Sequence, residues 1–301
     1  MTDHEASLLD RFKSWPLALL PHQWLSQLIR SATRWRAAWW KSLLIHAFIN
    51  HYKVNMGEAE PADSRAYPDF NSFFTRALRP GVRPQPADPA AIACPVDGRV
   101  SQAGAIAGDR ILQAKGHDYS LTALLGGDPA RAAPFADGHF ATLYLSPRDY
   151  HRIHMPNAGK LLETTYVPGR LYSVAPHTTR AIPGLFARNE RLVALFDTPA
   201  GPMAVVLVGA IFVSCMETVW SGVVNPQRSM ALQTMRFDAP GMVPVELGRG
   251  AEMGRFNMGS TVILLYGPGQ MTWTAPLLPG QAVVTGQAIG RWRDGKERPS
   301  R

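Results

Sequence analysis

The sequence predicts an α+β protein in which a β-rich, barrel- or sandwich-like core follows an N-terminal amphipathic helical segment. That prediction rests on two features of the chain. From about residue 91 onward, short apolar runs recur, at 140–145, 192–196, 203–208 and 262–266, each bounded by Gly, Pro, Asn or Asp. Such runs read as strands, and many of them without long intervening helices stack as a sandwich or close as a barrel. The first 56 residues differ: five of the eight tryptophans (Trp15, Trp24, Trp35, Trp39 and Trp40) lie among Arg11, Lys13, Arg30, Arg34, Arg36, Lys41 and Lys53.

Taken in order, the N-terminal segment comes first. Pro16 and Pro21 divide it, and no apolar run reaches the roughly 20 residues that span a bilayer. The acidic start Thr2-Asp3-His4-Glu5 leads into no secretory apolar region, so a cleaved signal peptide is not expected. Between Trp24 and Phe48 apolar residues recur at helical spacing beside basic ones, which suits a helix lying at a lipid headgroup plane. Residues 1–56 are therefore expected to anchor the chain to a membrane surface; the alternative is a Trp-rich helical hairpin packed on its own domain or on a partner. A net charge of +8 favours an anionic partner. Membrane is preferred over nucleic acid, because the basic residues fall among bulky aliphatics and no nucleic-acid motif is present. Cys94 and Cys215 lack CxxC spacing, so neither a disulfide framework nor a cysteine zinc site is expected, and a reducing compartment fits.

Residues 57–90 read as an entry segment, in which Phe70-Asn71-Ser72-Phe73-Phe74 forms a short helix docking by its aromatics. Three places in the β region then carry polar residues that strand packing does not need. Asp97-Gly98 lies at a turn between extended segments; a plain hairpin turn is the simplest account of it. Residues 146–156 follow an apolar strand and hold His151 and His154, three apart, in what reads as a site loop. Zinc needs at least a third ligand and no HExxH helix is present, so no metal is expected. Finally, Gly259-Ser260-Thr261 reads as a tight bend feeding a buried strand. A glycine leaves its carbonyl open to attack, and Ser260 is the adjacent nucleophile. A histidine accepts a serine's proton when a carboxylate orients its far ring nitrogen, so Asp97, His154 and Ser260 are one candidate set.

Pro95-Val96-Asp97-Gly98, Tyr150-His151-Arg152-Ile153-His154-Met155-Pro156 and Gly259-Ser260-Thr261, in this order and with these gaps, resemble the phosphatidylserine decarboxylases of the bacterial membrane type. The blocks 111–116, 185–191, 217–220 and 252–256 resemble the family too, so the likeness runs almost end to end. Met258 is a departure, since the family usually has leucine there; the swap conserves volume and polarity and is expected to leave processing possible.

The resemblance implies a self-processing proenzyme. His154, with Asp97 behind it, would deprotonate Ser260, whose oxygen attacks the Gly259 carbonyl. Elimination at the resulting ester would cut the catalytic domain, residues 57–301, so that the whole chain becomes a β chain, 1–259, and an α chain, 260–301, the latter capped by a pyruvoyl group made from Ser260. That pyruvate-derived cofactor would serve decarboxylation of phosphatidylserine to phosphatidylethanolamine, with His151 tied to substrate handling and decarboxylation. An α/β heterodimer paired into a dimer, at the cytoplasmic face of the cell membrane, is the implied assembly. Two other classes stay open: a serine hydrolase using Ser260, His154 and Asp97, although no GxSxG elbow surrounds Ser260, and a non-catalytic peripheral membrane protein.

Overall fold

The computed structural model describes residues 10, 22–114, 116–210, 215–225, 227, 229–257 and 260–293. Trp15, Met258 and Gly259 lie outside the described residues. The N-terminal segment contributes two helices, α1 (His22–Arg34) and α2 (Ala38–Tyr52). The Trp40 indole donates to the Ala32 carbonyl at 2.8 Å, pinning the turn between them. No helix among the described residues is long and apolar enough to cross a membrane.

The expected aromatic helix is present as α3 (Phe70–Phe74). Asp69 caps it, its carboxylate accepting from the Ser72 amide at 2.8 Å, as short polar residues do where the first helical amides lack partners. Phe70, Phe73 and Phe74 form a small core with Ile45, Val54 and Tyr67. The Phe48 ring of α2 meets those three phenylalanines edge-on at 5.3 to 5.9 Å, so the N-terminal helices are stapled to the core through α3.

The strands that position the site are β1 (Gly98–Ala105), β2 (His139–Leu145), β3 (Arg152–His154), β4 (Gly159–Val167), β5 (Arg191–Thr198), β6 (Gly201–Gly209), β7 (Met216–Thr218), β8 (Gly222–Val223), β9 (Gln233–Arg236), β10 (Glu246–Leu247), β11 (Glu252–Phe256), β12 (Ser260–Tyr266) and β13 (Ala282–Val283). The large antiparallel sheet runs β9-β4-β5-β6-β12-β2-β1-β13, with β10 also on β4; a smaller one runs β8-β7-β11-β3. The four apolar runs read from sequence are β2, β5, β6 and β12, the contiguous centre of the large sheet. The sheet stays open, so the architecture is layered rather than a closed barrel.

β12 is buried at every position. Val262, Leu264 and Tyr266 face a core shared with Ile153, Met216, Met253 and Phe256 of the smaller sheet, whereas Ile263 and Leu265 face Phe135, Phe140, Leu185 and Phe186 on the other side. A strand buried on both faces reads as a continuous apolar run, which is why this one stood out in the sequence. By the two-residue period, Ser260 lies on the side of Val262 and Leu264, between the two sheets.

Asp97 does not sit in a hairpin. The strand before it, Ala91–Ala93, pairs with Ala288–Trp292 in a separate sheet, so Asp97 occupies the crossing from one sheet to another. Gly98 is needed there because a Cβ would stand 2.3 Å from the Tyr144 carbonyl oxygen. The expected loop at 146–156 is likewise part strand: β3 pairs with β11.

Leu264→Ala should cost about 2 to 5 kcal/mol, the range for emptying a packed core position, measured as a lower urea midpoint at unchanged slope.

Candidate active site

Ser260 opens β12, paired with Gly209 of β6 on one side and Leu145 of β2 on the other. It is fully buried, and its Oγ has no hydrogen-bond partner among the described residues. Buried hydroxyls usually find one; the Thr261 and Thr142 hydroxyls are likewise unbonded among the described residues.

β11 leads the chain toward Ser260, and its exit is tightly held. Asn257 donates its backbone N–H to the Cys215 carbonyl at 3.0 Å and its side-chain amide to Glu217 at 3.0 Å, while its carbonyl oxygen accepts from Asn71 of α3 at 2.8 Å. Glu217 in turn bonds Arg255 at 2.7 Å and lies 3.8 Å from Arg34 of α1.

The histidine pair sits beside this exit. The Phe256 amide donates to the His151 carbonyl at 3.0 Å, extending the β3–β11 ladder. His151 is fully buried under the Phe74 ring, 4.1 Å between centroids. Its Nδ1–H donates to the Asp149 carbonyl at 2.8 Å, which leaves Nε2 as the basic nitrogen, and that atom has no partner among the described residues. Burial pushes its pKa down to about 3, the charge of Arg76 adding to the effect while the Asp149 bond and the charge of Asp97 oppose it. His151 is therefore a neutral base at pH 7.

His154 has the same tautomer but no free nitrogen. Its Nδ1–H donates to the Gly250 carbonyl at 2.8 Å and its Nε2 accepts from the Tyr150 hydroxyl at 2.9 Å. Gly250 adopts φ +78, a conformation that suits a residue without Cβ, and this turn delivers its carbonyl to the ring. Residues three apart in extended chain point to opposite sides, which is why the two histidines have different surroundings.

Asp97 lies next to this strand, since the His154 amide donates to the Pro95 carbonyl at 2.9 Å. Its carboxylate, however, accepts from the Arg83 Nε at 3.0 and 3.1 Å and from the Thr285 amide at 2.8 Å. No hydrogen bond joins Asp97 to either histidine, or either histidine to Ser260, among the described residues. Gly259, the expected cleavage partner, lies outside them.

Comparison with known proteins decides the family. A family model described as phosphatidylserine decarboxylase matches residues 70–291, well over half of the chain. A second, described as PSD, matches residues 12–53. A phosphatidylserine decarboxylase proenzyme of Ectopseudomonas mendocina is 55% identical over 272 residues, covering 90% of this chain and 95% of that protein. Proenzymes of the same name from Pseudomonas putida and Pseudomonas aeruginosa are 55% and 54% identical over 271 residues, covering 90% of this chain and 94% and 93% of theirs. This chain belongs to the phosphatidylserine decarboxylase family.

Within this phosphatidylserine decarboxylase fold, sequence reasoning passed over several residues of the site. Gly250 and Tyr150 set the His154 ring, Arg83 holds Asp97, and Asn71 and Asn257 bridge α3 to the strand exit. Arg76 is buried beside Phe73, with only its Nη2 hydrogen-bonded among the described residues, to the Arg148 carbonyl at 3.1 Å. An arginine directly behind an aromatic docking helix was the signal available for it, because a charge there is carried into the interior. Cys94 is no nucleophile: burial pushes its thiol up to about 12.

The depressed pKa of His151 predicts a pH-dependent stability. Between about 3 and the unfolded value of 6.5, the unfolded chain binds a proton at this residue that the folded chain does not. Stability should therefore fall with pH below 6.5, by about 1.4 kcal/mol per unit from this group, and His151→Gln should remove that component from urea midpoints measured between pH 7 and 5.

Proposed function

We propose that this chain is a proenzyme that cuts itself between Gly259 and Ser260 and then decarboxylates phosphatidylserine, yielding phosphatidylethanolamine and CO2. The observation that carries this reading is the buried, unbonded Ser260 Oγ at the start of β12, together with the unbonded His151 Nε2 on the segment whose carbonyl accepts from Phe256 of the preceding strand. A structural serine entering a strand has no need of a dry, unbonded hydroxyl.

Self-cutting follows from chemistry the chain holds. A base takes the Ser260 proton, the alkoxide attacks the Gly259 carbonyl, and the peptide becomes an ester with the Ser260 amine freed. β-Elimination breaks the Cβ–O bond, releasing Gly259 as a carboxylate. The dehydroalanine left at 260 takes up water and loses ammonia, giving a pyruvoyl-ended chain. The proposed products are chains 1–259 and 260–301, forming one α/β unit from a core over 57–301 behind an anchor over 1–56. The smaller chain stays with the larger through β12, hydrogen-bonded along both edges and buried on both faces. A dimer of such units is the expectation that family resemblance supplies.

Position 260 suits such a group: a small side chain at the start of a strand, buried in a dry layer. A pyruvoyl ketone, once formed, supplies an electron sink for an amine-bearing carboxylate. The chain's own residues do the rest. His154, with its Nδ1 fixed on Gly250 and Asp97 alongside, is assigned the Ser260 proton, taking it at Nε2 in exchange for the Tyr150 hydroxyl. His151, dry and neutral, is assigned substrate handling and the proton movements that follow loss of CO2.

The membrane reading rests on the N-terminal helices. Trp35 and Trp39 are 52% and 63% exposed, and Leu28 and Leu43 are exposed beside them. Large apolar side chains held in water next to Arg30 and Arg36 suit an anionic headgroup surface, where the tails of a two-chain substrate remain. We assign the protein to the cytoplasmic face of the cell membrane as a peripheral protein.

Intact mass under denaturing conditions tests the cut: two chains are expected, the smaller lighter by one ammonia than a serine-ended peptide. Ser260→Ala should stay a single, inactive chain. His154→Ala and Asp97→Asn should accumulate precursor, with cutting slowed on the order of 100-fold or more for the histidine, while His151→Ala should cut itself and decarboxylate poorly. The opposite pattern for the two histidines would reverse their roles. An uncut wild-type chain that hydrolyses esters would return Ser260 to the hydrolase reading, and an uncut, inert one to a membrane-binding protein. Trp35→Ala with Trp39→Ala should weaken sedimentation with phosphatidylserine-containing vesicles by about tenfold or more; unchanged partition would remove α1 and α2 from the anchor.

A further inference from the structure

Arg76 is a buried charged group in this region that the self-cutting chemistry does not use. It is 5% exposed, and its Nε and Nη1 are fully buried with no hydrogen-bond partner among the described residues. Among the described residues only Nη2 is hydrogen-bonded, to the Arg148 carbonyl, and the guanidinium carbon lies 5.5 Å from the centroid of the Phe73 ring. No carboxylate forms an ion pair with it among the described residues, although Asp97, Asp149 and Glu58 act on it at longer range. Two neighbouring basic residues are matched: Arg83 with Asp97 and Glu58, and Arg152 with Glu252. One carbonyl and one ring face leave two guanidinium nitrogens without an acceptor in a dry interior, which is costly unless an anion or a dipole completes them.

Its place is fixed by the same elements that build the site. Arg76 follows α3, whose Phe74 covers His151 and whose Asn71 holds Asn257. Its charge is felt at His151. We propose that Arg76 binds the phosphodiester of the substrate headgroup through Nε and Nη1, positioning the serine moiety against residue 260 and His151. This rests on the decarboxylase reading above. Of the headgroup's two anions, the carboxylate is the wrong partner: an arginine paired to it would stabilise the charge that has to leave as neutral CO2, deepening the ground state. The phosphodiester keeps its charge throughout, and a guanidinium matches two of its oxygens. Arg76, His151 and Ser260 are all buried.

The test uses the mature two-chain protein, Arg76→Gln and Arg76→Lys, with glycerophosphoethanolamine as a phosphodiester lacking the carboxylate and O-methylserine as a carboxylate lacking the phosphate. Processing is followed by mass and binding of each probe by calorimetry, alongside KM and kcat. In Arg76→Gln, glycerophosphoethanolamine binding should weaken on the order of 10- to 100-fold, the scale of charge-assisted hydrogen bonds, with O-methylserine binding unchanged and KM raised more than kcat is lowered. Arg76→Lys should fall between. Loss of O-methylserine binding alone would move Arg76 to the carboxylate, and equal binding of both probes would make it structural; either overturns the proposal. Failure of both variants to cut themselves would assign Arg76 to the precursor and overturn it as well. Wild-type protein that cuts itself yet leaves phosphatidylserine intact would instead refute the decarboxylase reading, whatever Arg76 does.

Discussion

Everything at this site depends on one strand being hydrogen-bonded on both sides. β12 lies between β6 and β2 and is buried on both faces, so the position of its first residue is set by two ladders at once. A serine at the end of an edge strand would sample many orientations. Here Ser260 is fixed against the smaller sheet, and the histidine pair is fixed by that sheet's own ladder, through β3 and β11. Side-chain placement at these positions is thus set by backbone pairing, which is stiffer than a loop.

The same layering explains the division between the two histidines. An i, i+3 spacing on a helix would bring both rings to one face, as a metal site requires. In extended chain it sends them apart, one into a dry layer under Phe74 and the other onto Tyr150 and Gly250. Their tautomers agree because each Nδ1 meets a carbonyl oxygen, so each ring offers Nε2. Surroundings, rather than protonation pattern, separate a free base from a restrained one.

Much of the fold was legible in the chain. β2, β5, β6 and β12 were visible because strands buried on two faces are uniformly apolar; β1 and β4 were not, since Gly98–Ala105 and Gly159–Val167 mix small and polar residues and depend on register with their neighbours. The aromatic helix α3 was legible from its spacing. The candidate site was named from residue types and order, as Asp97, His151, His154 and Ser260. Its second layer was not: Arg83 reaches Asp97 from 14 residues away, Gly250 reaches His154 from 96, and Asn71 reaches Asn257 from 186. Contacts at such separations leave no local pattern, and the Asp97 carboxylate's preference for Arg83 and Thr285 is a product of that long-range packing.

The tethering of Asn257 has a mechanical consequence. Its amide and side chain are bound to Cys215, Glu217 and Asn71, partners from two separate parts of the chain. The end of β11 is thereby held whatever becomes of the peptide link beyond it, so a break in the chain after this point would leave the smaller sheet's last strand in place.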